Sequence, residues 1–328
     1  MLEYAPDAGR DRNASVGVGH RRARSKGQAV ARSIGLGRKA DLILVWHLGL
    51  LKLLPFLSAR RAPVVLFLHG VEAWRPTGWI GRKLLDAVDL FLANSRHTWE
   101  RFVACNPRCR GRPFRVVPLG IGNPCGAPVR RDREAAALVL GRMARTEDYK
   151  GHRELLEAWP HIMARIPEAQ LWIAGDGDLR PELERLARKR GVQDRVTFFG
   201  FVTDEEKAEL LSRCRCLAMP SRGEGFGLVY LEAMRVGTPC LVSTLDAGRE
   251  VVNPPEAGLA VDPSDSRGLA DAVCRLLMPG PDWERWSRRA RERYERQYTA
   301  AHFQQRLLEA LDELWSTCAT ARPGTPRS

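Results

Sequence analysis

Apolar residues along this chain fall in short continuous runs, each followed by a longer stretch with helical spacing. The runs "DLILVW" (41–46), "PVVLFLH" (63–69), "VDLFLAN" (88–94), "RVVP" (115–118) and "AALVLGR" (136–142) read as strands. So do "QLWIAG" (170–175), "RVTFFG" (195–200), "RCLAMP" (215–220), "PCLVS" (239–243) and "GLAV" (258–261). Most do not alternate with polar residues, which fits strands buried on both faces of a parallel sheet. Helical patterns occupy 151–165, 179–190, 204–213 and 228–236, and a charged, apolar-spaced tail over 282–315 is helical too. Alternating β and α elements predict doubly wound α/β layers. The Gly- and Pro-rich stretch "GIGNPCGAPVRRDRE" (120–134) predicts a boundary between an N-terminal unit and a second α/β unit starting near Ala135.

Length agrees, since 328 residues exceed one ordinary domain. With 44% hydrophobic and 28% charged residues the composition is that of a globular protein. The net charge of +13 calls for an anionic partner: nucleic acid, acidic headgroups or a phosphorylated substrate. Residues 1–40 hold nine Lys/Arg against three acids, so part of the surplus lies in a basic, weakly ordered N-terminal segment. No basic patch interleaves with aromatics, and specific nucleic-acid recognition is not expected. The eight cysteines are scattered without a C-x-x-C pair, and no His stands at zinc-ligand spacing. A metal site is therefore not expected, and a reducing, cytoplasmic setting is. The first residues carry no apolar signal core. The run 42–57 is short for a membrane span and is broken by His47, Lys52 and Pro55, so it reads as core.

Three strand ends carry candidate chemistry. After 136–142 come Arg142 and, before a helix, Lys150. Two cations at the C-terminal end of a strand suit a diphosphate, although taken alone they read more simply as solvated loop charges. After 170–175, "GDGD" lacks the third glycine of a dinucleotide loop, so Asp176 and Asp178 read as turn residues before a helix with Pro181 in its first turn. After 215–220, "SRGEGFG" leads into a helix that Gly237-Thr238-Pro239 stops. The N–H groups of Gly225, Phe226, Gly227 and Leu228 at this helix start would face outward, ready for an anion or a sugar hydroxyl. Glu224 precedes that mouth. Glu232 lies a turn inside the helix among apolar neighbours, on a side that can face the same cleft.

"EGFGLVYLE" resembles the E-x7-E motif of retaining GT-B glycosyltransferases, the family-4-like group also called glycosyl transferases group 1. "LGRMARTEDYKGHRELLEAW", "LWIAGDGDLRPELERLA", "RVTFFGFVTDEE", "REVVNPPEAGLAVDP", "FLANSRHTWERF" and "RVVPLGI" look like the same family, over roughly 41–315. The resemblance implies two Rossmann-like domains facing a cleft: an acceptor domain at 41–125, a donor domain at 135–295, and a helix at 296–317 packing back towards the first. It implies that Arg142 and Lys150 bind the diphosphate of a nucleotide sugar such as UDP- or GDP-hexose. Glu232 would accept hydrogen bonds from the ribose, and Glu224 from the transferred sugar. The amides of Gly225, Phe226, Gly227 and Leu228 would hold sugar and phosphate oxygens. His69, at the end of "FLHGVEAW", would face the transferred sugar, with Glu72 a weaker candidate on the acceptor side. No metal cofactor and no protein nucleophile are implied. The donor's own phosphate would assist transfer, with retention, to a saccharide or lipid-linked acceptor in surface polysaccharide or glycolipid synthesis. A peripheral contact with the acidic inner face of the membrane would suit the charge.

One feature departs from the family pattern. Its members begin with a strand and a Gly-Gly loop, and residues 1–40 show neither. The N-terminal domain is therefore expected to be incomplete. The alternative expectation is a catalytically weak nucleotide-sugar-binding or partner subunit.

Overall fold

The computed structural model describes residues 2–4, 21–23, 26–34, 40–57, 62–122 and 132–320. Most of the expected boundary, 123–131, lies outside them. Two compact units emerge. The first holds the described residues within Met1–Ala93, Trp99–Val116 and Ala310–Ser328; the second holds Asn94–Thr98 and Val117–Glu309.

In the first unit, strands β1 (Leu2–Tyr4) and β2 (Arg21–Ala23) pair in parallel, and helix α1 (Lys26–Ser33) follows. This corrects the expectation that residues 1–40 hold no strand. Three-residue strands are too short to show a hydrophobic period, and they pair through backbone groups that any residue supplies. Next come β3 (Ile43–Val45), β4 (Val64–Leu68), α2 (Trp79–Asp86), β5 (Leu90–Ala93), α3 (Arg96–Cys105) and β6 (Phe114–Val116). The four strands β3 to β6 form a parallel sheet in chain order. Every residue of β4 and β5 is buried, as their unbroken apolar runs require of central strands. The run after β3 folds as a 3-10 helix, Leu48–Phe56, with Leu51 buried and Leu48, Leu50 and Leu54 packed on the core. Among the described residues no helix is long and apolar enough to cross a membrane.

The second unit continues with β7 (Glu134–Leu140), α4 (His152–Met163), β8 (Gln170–Ala174), α5 (Arg180–Lys189), β9 (Val196–Gly200) and α6 (Asp204–Arg213). It then runs through β10 (Cys214–Met219), α7 (Leu228–Arg235), β11 (Cys240–Ser243), α8 (Gly248–Val252), β12 (Gly258–Val261) and α9 (Ser266–Leu277). Its sheet is parallel in the order β12-β11-β10-β7-β8-β9. The chain starts in the middle with β7, builds outward through β8 and β9, then returns to β10 on the other side. Strands β7 and β10 thus flank the point where the direction of winding reverses, and the loops at their C-terminal ends border a crevice. Helix α4 packs with α5 and α9, and α7 with α6 and α10 (Pro281–Gln297).

The tail over 282–315 is two helices. After α10 the chain breaks at Tyr298–Thr299 before α11 (Ala300–Thr320). Ile121 explains the break: its N–H donates to the Tyr298 carbonyl at 3.0 Å and its carbonyl accepts from Ala300 N–H at 2.8 Å. Strand-like pairing with a distant segment leaves no trace in the helical pattern of the tail. The end of α11 is grouped with the first unit, where Glu313 pairs with Arg115.

Candidate functional site

The loops leaving β7 and β10, Gly141–Gly151 and Pro220–Gly227, meet at the switch point. Arg222 N–H donates to the Tyr149 carbonyl at 2.9 Å, and its guanidinium reaches Glu154 on α4. Lys150 Nζ lies 3.2 Å from Glu147 Oε2 and 3.6 Å from Glu224 Oε1, so the sequence-predicted Lys150 and Glu224 are brought together. Arg142 donates to the other oxygen of Glu147. Lys150 and Glu224 keep only 16% and 17% side-chain exposure, whereas Arg142 keeps 77%, so Arg142 has the freedom to swing. Beside them, burial pushes the Tyr149 hydroxyl up to about 12, with the Glu224 and Glu147 carboxylates adding to the shift.

The loop after β8 buttresses this one. Met143 N–H donates to the Asp176 carbonyl, and Leu179 N–H to the Met143 carbonyl. Gly175 has φ +135°, and a Cβ there would lie 2.0 Å from the Gly141 carbonyl oxygen, so the close approach of the two loops demands glycine. Asp176 closes its turn on Gly177 N–H at 2.8 Å, as expected of a turn residue. Asp178 does more than close a turn: it accepts from Arg145 N–H at 2.9 Å, tying down the cationic loop.

The Gly-rich loop is held from behind. Buried Asp246 accepts from the N–H groups of Glu224 (3.2 Å) and Gly248 (2.9 Å), and the Glu224 carbonyl accepts from Ala247 N–H at 3.1 Å. Burial raises the Asp246 carboxyl to about 7, against the lowering effect of those N–H donors. Ser95 and Thr98 of the second unit donate their hydroxyls to the Gly225 carbonyl at 2.6 and 3.0 Å. In a trans peptide the C=O and the next N–H point in opposite directions, so this grip aims the Phe226 N–H away from Ser95 and Thr98. The Phe226 ring is buried edge-on to Tyr298. Gly227 has φ +85°, and a Cβ there would lie 2.4 Å from the Tyr230 ring. Among the described residues no acceptor takes the N–H groups of Gly225, Phe226, Gly227 or Leu228. Gly227 and Leu228 are unsatisfied donors of the helix start, Gly225 and Phe226 lead into it, and the positive end of the α7 dipole lies behind them.

Glu232 is placed differently from Glu224. Lys207 on α6 donates to it at 2.7 Å and also pairs with Asp204. Burial lowers the Lys207 pKa, but the hydrogen bonds it donates to Glu232 and Asp204 outweigh it and the net shift is upward. The neighbours Tyr230, Leu231, Ala233 and Met234 are buried, so the apolar part of α7 is core and Glu232 is its polar edge. In the first unit, His69 Nε2 donates to the Trp46 carbonyl at 2.6 Å and its ring stacks on Phe67. Burial lowers the pKa of His69. Glu72 accepts from the N–H groups of His69 and Gly70, a turn-closing role.

Sequence reasoning missed Glu147, Tyr149, Asp246, Lys207 and the hydroxyls of Ser95 and Thr98. Ser95 and Thr98 lie inside "FLANSRHTWERF", so the motif signal existed without the role. Glu147 and Tyr149 likewise lie inside "LGRMARTEDYKGHRELLEAW", whereas Asp246 and Lys207 fall outside the quoted stretches. Among the described residues no group of three or more His, Cys, Asp or Glu is arranged to hold a metal ion.

Residues 134–278, which run from β7 to the end of α9, match the family model for glycosyl transferases group 1. The chain is 35% identical over 146 residues to alpha-D-kanosaminyltransferase of Streptomyces kanamyceticus, covering 44% of this chain and 37% of that protein. It is 30% identical over 247 residues to glycogen synthase of Mycobacterium tuberculosis, covering 70% and 58%. The chain thus spans well under two thirds of the length of these relatives. The structure of Anabaena Alr3699/HepE in complex with UDP aligns with a TM-score of 0.74 at 20% identity, covering 87% of this chain and 82% of that one. The two parallel-sheet α/β units are those of the GT-B fold.

Proposed function

We propose, for a GT-B chain whose residues 134–278 form a glycosyl transferases group 1 domain, transfer of a hexosyl unit from a nucleoside-diphosphate sugar to a saccharide or lipid-linked acceptor. The observation that carries this reading is the meeting of Lys150, Glu224 and four unsatisfied N–H groups at the β7–β10 switch point, with Arg142 at the rim. Cations and a helix start supply positive charge where a diphosphate leaving group gathers negative charge. Glu224, held by Lys150, is placed to accept hydrogen bonds from sugar hydroxyls. Glu232 serves the ribose, with Lys207 holding it in place. Support also comes from relatives named as glycosyltransferases and from a fold neighbour that binds UDP.

In this reading the positive charge is the protein's own, and no metal or protein nucleophile takes part. Transfer proceeds with retention, the donor phosphate assisting the acceptor hydroxyl. The role of His69 in transfer rests on the sequence resemblance alone. Cytoplasmic placement, peripheral contact with acidic lipid and a part in polysaccharide or glycolipid synthesis belong to the same proposal.

The test is calorimetric titration with UDP-, GDP- and ADP-hexoses, followed by donor turnover. One donor should bind, and Lys150→Ala or Arg142→Ala should weaken it on the order of ten-fold or more while sparing the free nucleoside. Unchanged affinity in both variants would sink the assignment. Binding without turnover, in a folded sample with acceptors supplied, favours the catalytically weak subunit instead.

A further inference from the structure

We propose that Glu147 is a built-in occupant of the diphosphate position, holding Arg142 and Lys150 in the free protein and yielding when a nucleoside diphosphate arrives. The inference rests on the donor-site reading above and adds to it a residue that neither the sequence motif nor the resemblance singles out.

Glu147 ends the short turn Arg145–Glu147 between β7 and α4. One of its carboxylate oxygens accepts from Arg142, and the other lies 3.2 Å from Lys150 Nζ. A single anion thus bridges the two cations through two oxygens, as a phosphate would. Its side chain is only 13% exposed, so water screens these pairs weakly. The oxygen facing Lys150 is buried without a hydrogen bond of normal geometry, so charge attraction holds it there.

Glu224 is the second carboxylate on Lys150, and the four groups together are neutral. A diphosphate adds at least two negative charges, which one ammonium and one guanidinium accommodate only if a carboxylate withdraws. Among the described residues the Glu224 carboxylate pairs with Lys150 and not with Arg142, and its backbone is pinned on both sides by Asp246 and Ala247. Glu147 contacts both cations and needs only side-chain rotation to leave them. It is therefore a positioning residue that tunes donor affinity by competition, and it keeps two neighbouring cations from repelling each other when no donor is bound.

Binding of UDP, GDP and ADP, and of the corresponding nucleosides, is measured calorimetrically for the wild type, Glu147→Gln and Glu147→Asp. Glu147→Gln keeps the shape and removes the charge. It should bind the preferred diphosphate on the order of ten-fold more tightly with nucleoside affinity unchanged, while Glu147→Asp stays near the wild type. Equal or weaker diphosphate binding by Glu147→Gln overturns the proposal and leaves Glu147 as a support for Lys150. A wild type that binds none of the three diphosphates overturns the donor-site reading instead, a separate result. Should Glu147→Gln not fold, carbodiimide labelling of the wild-type carboxylate, read by mass spectrometry with and without the diphosphate, decides the matter. Labelling of Glu147 that rises on binding supports release; constant or falling labelling overturns it.

Discussion

Asp246 links the Gly-rich loop to pH. Its carboxyl sits at about 7 in the folded chain against an ordinary 3.8, so between roughly pH 4 and 7 the folded state keeps a proton that the unfolded state has lost. Stability from this group therefore falls as pH rises through that window, by up to about 1.4 kcal/mol per unit. His152 works in the opposite direction. Burial lowers it to about 4 from 6.5, so its contribution rises with pH between those values. Asp246→Asn should remove the falling part and leave unfolding free energy climbing between about pH 4 and 6.5, as urea titrations across pH would show; an unaltered pH profile contradicts the assignment. Arg142, Lys150, Glu224 and Glu232 were visible in the chain because they stand at strand ends or interrupt an apolar helix. Asp246 was not, since its partner is the N–H of Glu224, 22 residues earlier, and no local pattern records such a contact.

At the scale of elements, the loop-to-helix junction at α7 depends on Gly227. Its φ of +85° and the Tyr230 ring 2.4 Å from a would-be Cβ predict that Gly227→Ala costs about 2–4 kcal/mol. Gly191, at φ +68° with nothing within 4 Å of a Cβ, serves as the control. Gly191→Ala should cost about 1–2 kcal/mol from backbone conformation alone. Denaturant unfolding of both variants measures the difference, and equal losses would show that the ring moves aside freely. All ten strands expected from apolar runs are present, and β4 and β5, buried at every position, could not be other than apolar. The strands β1 and β2 were not legible, and the break between α10 and α11 left no mark in the helical pattern, although the resemblance set a helix apart at 296–317; backbone pairing with a distant segment decides each of them.

For the molecule as a whole, the net charge of +13 predicts loose, sequence-blind attraction to polyanions. Fluorescence anisotropy with two unrelated DNA duplexes should show matched affinities that fall steeply between about 50 and 200 mM salt. A preference for one duplex that survives high salt would contradict the absence of specific recognition. By itself the sequence determined the two-unit α/β class, the ten main strands and the cation and glycine positions at their ends. These follow from burial and backbone rules that act over a few residues. Tertiary structure alone decided that β10 lies beside β7, because strand order depends on which crossover packs best, and no local pattern encodes it. That adjacency brings Lys150 to Glu224 across 74 residues of chain, beside the local cluster in which Glu147 bridges Arg142 and Lys150. The candidate site is a product of strand order, assembled from residues that the sequence could mark only one by one.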